Sequence, residues 1–136
     1  MGAPMSAELQ RAAAGRQQVA ERVSDAEARL KLAMTRLKAA NEAHKKAHKG
    51  LGAFQEEYRG LVTRLVDDPL SATERITVVD RANELLHTFA NYKLALQHTA
   101  SERGTASQQV NVLVDRVDGA TRALLALFPT IEELVL

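Results

Sequence analysis

Three histidines come closest to a metal site in residue type and spacing. His44 and His48 are four residues apart on one face of a predicted helix, a spacing at which two imidazoles can hold one metal ion. His87 lies on a second predicted helix and is expected within about one turn of both. No cysteine joins them, and no glutamate follows His44 as a metalloprotease motif requires. The simpler interpretation is a surface pair flanked by lysines.

Other combinations that support catalysis are incomplete. Glu84 and His87 have the Glu-x-x-His spacing of di-iron carboxylate bundles, but the first predicted helix has no second copy of that motif. No serine lies in a Gly-x-Ser-x-Gly elbow. The Gly50-Leu51-Gly52 stretch lacks the strand and the lysine that flank a phosphate-binding loop. We therefore predict that the chain is not an enzyme and uses no cofactor.

A seven-residue rhythm predicts the elements that carry these residues. From Met5 to Leu65, apolar and small residues recur in alternating steps of four and three, as the narrow seam of a coiled coil requires. This pattern predicts a first arm over about 5–66. Gly50 and Gly52 each cost about 1 kcal/mol relative to alanine. The rhythm keeps its phase through them, which favours one continuous helix.

The stretch 67–71 predicts a turn, because Pro69 disfavours a helical conformation in the residue before it. Ser71 and Glu74 then form a capping box at the start of a second arm, over about 72–128. The predicted seam of that arm includes Val79, Ala82, Leu86, Phe89, Lys93, Leu96, Ala100, Ser107 and Val114. Folding about the turn should place Leu51 opposite Phe89.

These elements predict a single all-α domain over 1–136, a long antiparallel helical hairpin that resembles a coiled coil. The 136 residues include 46% apolar but only 4% aromatic side chains, as is typical of long helices with a thin seam. The alternative is a small helical bundle, in which the arms break near Gly50–Gly52 and near Gly104. Several residues around Gly104 are poor helix formers.

A basic stripe follows the first arm. Lys31, Lys38 and Lys45 occupy one heptad position, and Arg36 and Lys49 lie nearby. Such a stripe is either a solvated face or a docking surface for an acidic helix or an anionic membrane. The formal net charge of +1 argues against a dedicated nucleic-acid binder, which usually carries a large basic excess.

The segment 129–136 and the end of the second arm are rich in apolar residues. Two interpretations are open: the segment caps the open end of the hairpin over Met5 and Leu9, or it binds another protein. Under the second interpretation the contact residues are Leu124, Leu127, Phe128, Ile131 and Leu134.

Apolar residues outside both seams, such as Leu32 and Leu94, cannot be covered by one hairpin. We therefore expect a protein partner, in a homo-oligomer or a helical hetero-complex. The predicted function is a non-catalytic helical interaction module: a small scaffold, adaptor or chaperone-like subunit of a larger assembly. The alternatives are a peripheral membrane-binding module that uses the basic stripe and a metal-binding bundle. The absence of cysteine and of any visible signal peptide leads us to expect a cytoplasmic location.

Overall fold

The computed structural model describes residues 2–135, and the side chains of residues 6–135. Two long helices, α1 (Gly2–Asp67) and α2 (Ala72–Leu125), are followed by a 3-10 helix (Glu132–Leu134). The helices pack against each other as a hairpin, which confirms the predicted all-α fold. Over the described residues, neither helix has a stretch long and apolar enough to cross a membrane.

Both helices are continuous at the glycines where the sequence allowed a break. Helix α1 runs through Gly50 and Gly52, and α2 runs through Gly104, so the described chain forms the hairpin and not the bundle of short helices. Gly50 also has a packing role. A Cβ atom built on it would lie 3.5 Å from Cε1 of Tyr92, so the tyrosine ring packs close to the glycine backbone.

The helix ends follow from local chemistry. The hydroxyl of Ser71 accepts a hydrogen bond of 3.1 Å from the backbone N–H of Glu74, which caps α2 as predicted. Helix α2 ends at Leu125, earlier than the predicted limit near residue 128. Its last turn tightens, with the N–H of Phe128 donating to the carbonyl of Leu125 at 3.2 Å, because Pro129 cannot continue the helix.

The chain divides into two compact units, each containing part of both helices. We call Lys38–Thr105 the turn-proximal unit, and Met1–Leu37 with Ala106–Leu136 the terminal unit. The terminal unit buries Val23 and the small side chains of Ala33 and Ala106. The turn-proximal unit buries larger side chains.

Aromatic residues form the core of the turn-proximal unit. The buried ring of Phe54 lies 6.2 Å from that of Tyr58, 5.6 Å from Phe89 and 5.3 Å from Tyr92, between ring centroids. Phe54 is thus a residue of α1 whose ring stacks on Phe89, the side chain that was expected opposite Leu51. The pairing of the two helices is displaced by about one turn from the predicted register.

Of the two columns of inward residues predicted for α2, one is confirmed and the other is wrong. One column, which contains Ala82, Leu96 and Val110, faces α1 as expected. The other inward column lies one residue earlier than predicted and contains Val78, Leu85, Tyr92, Thr99, Ala106 and Leu113. Its predicted counterpart, with Val79, Leu86, Lys93, Ala100, Ser107 and Val114, is exposed. The shift has a physical reason: the predicted column would bury the ammonium group of Lys93, whereas the observed one packs the half-buried ring of Tyr92 against Phe54.

Candidate functional site

His44 is held by a hydrogen bond across the turn-proximal unit. Its Nδ1 atom lies 2.8 Å from Oγ1 of Thr99, and the ring of His48 stands edge-on to it at 4.7 Å between centroids. Among the described residues, no three His, Asp or Glu side chains converge to hold a metal. His87 therefore does not join the other two histidines in such a metal-binding group.

The surroundings of His44 favour its neutral form. Desolvation lowers the pKa of His44 most, and repulsion from His48 and then Arg103 lowers it further. The Thr99 hydroxyl also lies 2.9 Å from the carbonyl of Ala95. Both contacts are satisfied when the Thr99 hydroxyl donates its proton to the carbonyl of Ala95 and its oxygen accepts a hydrogen bond from the Nδ1–H of His44. His44 is thus a polar residue accommodated inside the seam.

The five predicted basic residues lie on the surface of α1. All are exposed, and none forms a salt bridge with another described residue. They are Lys31 and Arg36 in the terminal unit, and Lys38, Lys45 and Lys49 in the turn-proximal unit. Their placement is compatible with docking, and a docking role stays a prediction.

The apolar C-terminal contact residues are mostly exposed. Leu124 is half-buried, whereas Leu127, Phe128, Ile131 and Leu134 are exposed. The ring of Phe128 lies under the guanidinium of Arg16, which is 5.4 Å from the ring centroid. This cation–π contact joins the end of the second arm to α1.

The exposure of the C-terminal residues bears on whether they cap the hairpin. Ile131 is 77% exposed and Leu9, which the cap was expected to cover, is 67% exposed. A cap over Leu9 therefore does not form. The side chain of Met5, the other expected contact, lies outside the described residues. The exposed segment is available to a binding partner, and such binding stays a prediction.

One flank of the turn-proximal unit is apolar. On the other flank, Glu57 and Arg81 form a salt bridge of 2.7 Å between the two helices. Each of these two residues comes directly before a seam residue. Val62, Val79 and Leu86 each follow a seam residue, so antiparallel packing places them together on the other side. We call these three residues the apolar flank. They are 38%, 40% and 49% exposed, respectively.

Three arginines of the terminal unit surround a cleft between its helices. Arg22 and Arg29 come from α1 and Arg116 from α2; we call the site the arginine cleft. Its volume is about 230 Å³, and its remaining lining residues are Asp25, Ala26 and Leu113. None of the three arginines forms a salt bridge within the described part of the chain.

The arginine cleft is absent from the sequence-based prediction. Arg22 and Arg29 are one heptad apart, so their shared face is visible in the sequence. Arg116 reaches the same place only through the pairing of α1 with α2, and the predicted register was displaced. A correct register was therefore needed to find the site.

Comparison with protein-family models, with curated protein sequences and with solved structures found no match to this chain.

Proposed function

We propose that the chain is a non-catalytic helical interaction module, a small structural or adaptor subunit that binds other helices by side-chain packing. The observation that carries this proposal is the apolar flank of the turn-proximal unit. Its three residues adjoin the seam on both helices and are only partly covered by their own chain. An apolar strip of this kind beside a two-helix seam is where a further helix packs in a bundle.

The accessible surface supports the same proposal. It measures 10628 Å², whereas a compact protein of 14.9 kDa exposes about 7,000 Å². The chain thus leaves much more surface in water than is usual for its mass. Covering the exposed part of each flank residue contributes about 1 kcal/mol, so the flank and its surroundings supply several kcal/mol to association.

A second copy of the chain is the partner that we infer for the apolar flank. The flank is formed by similar branched side chains from both helices, so it is complementary to itself. Two copies related by a two-fold axis can cover both flanks at once, giving four helices around a shared core. No further chain is required for this arrangement.

Site-specific photo-crosslinking of the purified chain tests this interface. A photoreactive residue at Leu86 should crosslink two copies of the chain. The control position is Asn91, which is also exposed but lies about 140° around α2 from Leu86. Adducts that form equally from both positions, or none from Leu86, would contradict the proposed interface.

A membrane-binding module is the second candidate, because Lys38 and Lys45 are exposed and form no described salt bridge. Such lysines are attracted to anionic lipid, and salt screens that attraction. Co-sedimentation with phosphatidylserine vesicles should then decrease between low and moderate salt. The absence of binding at low salt would contradict this candidate.

A further inference from the structure

We propose that the arginine cleft of the terminal unit binds an acidic amphipathic helix of a partner protein. The proposal rests on the proposed function, since the ligand is again a helix. It concerns a different surface and a ligand of different chemistry, because the apolar flank offers no charge.

The charges of the cleft indicate an anionic ligand. Arg22, Arg29 and Arg116 contribute three positive charges, and Asp25 is the one acid among the lining residues. All three guanidinium groups lack a salt-bridge partner among the described residues. A guanidinium group presents a planar set of donors that matches the two oxygens of a carboxylate.

The spacing of the arginines suits a helix as the ligand. Arg22 and Arg29 are one heptad apart, which separates them by about 10 Å along α1. Arg36, an exposed residue of the same unit, continues this column by a further heptad. Carboxylates repeated every seven residues on a partner helix would meet successive arginines. Arg36 was already predicted to bind a partner.

The base of the cleft favours a helix over a small free anion. Ala26 and Leu113 line it and are half-buried, so apolar surface lies between the charged groups. A small anion would gain nothing from that surface, and a single exposed ion pair is weak. An amphipathic helix covers the apolar base and engages several arginines together, so its contacts reinforce one another.

The cleft also differs from a structural salt-bridge network. Asp25 offsets only one of its three positive charges, and none of the arginines forms a salt bridge within the described residues, so a net repulsion remains in the free chain. Removing one charge should therefore leave the thermal midpoint of the free chain unchanged or slightly raised. A purely structural role for these arginines predicts the opposite change.

Binding of a designed peptide tests the proposal. The probe is a three-heptad helical peptide with one leucine and one glutamate in each heptad, and its control has glutamine for each glutamate. Arg29→Gln and Arg116→Gln should each weaken binding about three-fold, and the double variant about ten-fold. Arg122→Gln is the matched control, because this exposed arginine of α2 lies in the same unit and outside the cleft. It should bind like the unchanged chain.

Three results would overturn the proposal. The first is equal weakening by Arg122→Gln, which would show attraction to net charge alone. The second is undiminished binding of the glutamine peptide. The third is binding of phosphatidylserine vesicles through the cleft arginines without binding of the peptide, which would make the site a lipid site. The Leu86 crosslink is a separate readout, so failure here is distinguishable from failure of the proposed function.

Discussion

Phe54 is the residue around which the turn-proximal unit packs its aromatic side chains. It is 6% exposed, and three other rings lie close to it, two of them from α2. The heptad rhythm of α1 placed Phe54 and Tyr58 in the seam correctly. It did not identify Tyr92, because the predicted inward column of α2 contained Lys93 at that level.

Truncation of Phe54 should be costly. Phe54→Ala removes a buried ring and leaves a cavity, so we expect a loss of about 3–4 kcal/mol in the free energy of unfolding. Phe128→Ala is the matched control, since this ring is 52% exposed. We expect it to cost about 1 kcal/mol, including its contact with Arg16. Urea denaturation measures both, and equal losses would contradict the assigned core.

We expect His44 to make the stability of the seam depend on pH. Its pKa in the folded chain is lowered by desolvation, then by His48 and Arg103, so the unfolded chain takes up the proton more readily. The contribution of neutral His44 is therefore fully present above the unfolded pKa of about 6.5. It is lost as the pH falls from there towards the lowered folded pKa.

The thermal midpoint of the unchanged chain should therefore fall between pH 7.5 and pH 5.5. His44→Gln keeps a polar side chain near Thr99 but cannot titrate, so its midpoint should vary less over this range. His87→Gln serves as the control, because His87 is exposed, and it should retain the original pH dependence. A His44→Gln variant with an unchanged pH dependence would show that another group is responsible.

The sequence predicts where the helices begin and continue along the chain better than it predicts which face of α2 packs against α1. The start of α2 at Ala72 and the continuity of α1 followed from Pro69, Ser71 and the unbroken rhythm. The inward face of α2 did not, because apolar residues occupy adjacent columns, as in the pairs Val78–Val79 and Leu85–Leu86. Periodicity alone cannot choose between two such columns, and only packing against α1 decides.

The glycines inside the helices allow a test of whether each helix is continuous. A Cβ atom added at Gly52 or Gly104 would meet no atom of the rest of the fold within 4 Å. Gly52→Ala and Gly104→Ala should each raise the free energy of unfolding by about 1 kcal/mol, because alanine favours the helix and restricts the unfolded chain. Circular dichroism during urea denaturation measures the gain. Destabilisation by either substitution would mean that the helix does not run straight through that glycine.

The basic stripe of α1 could be located from the sequence, whereas the arginine cleft could not. Lys31, Lys38 and Lys45 share one heptad position of a single helix, so their alignment can be read without a partner. The cleft joins residues of α1 and α2 that are far apart in the chain. Its recognition depends on register, which the heptad repeat constrains only to within about one turn.

We infer that this chain associates with further helices through its exposed apolar surface, first of all with a second copy of itself. Light scattering during size-exclusion chromatography, combined with thermal unfolding at several concentrations, tests it most directly. We predict a mass above the 14.9 kDa of one chain and a thermal midpoint that rises with concentration. A 14.9 kDa species with a sharp, concentration-independent unfolding transition would contradict the claim.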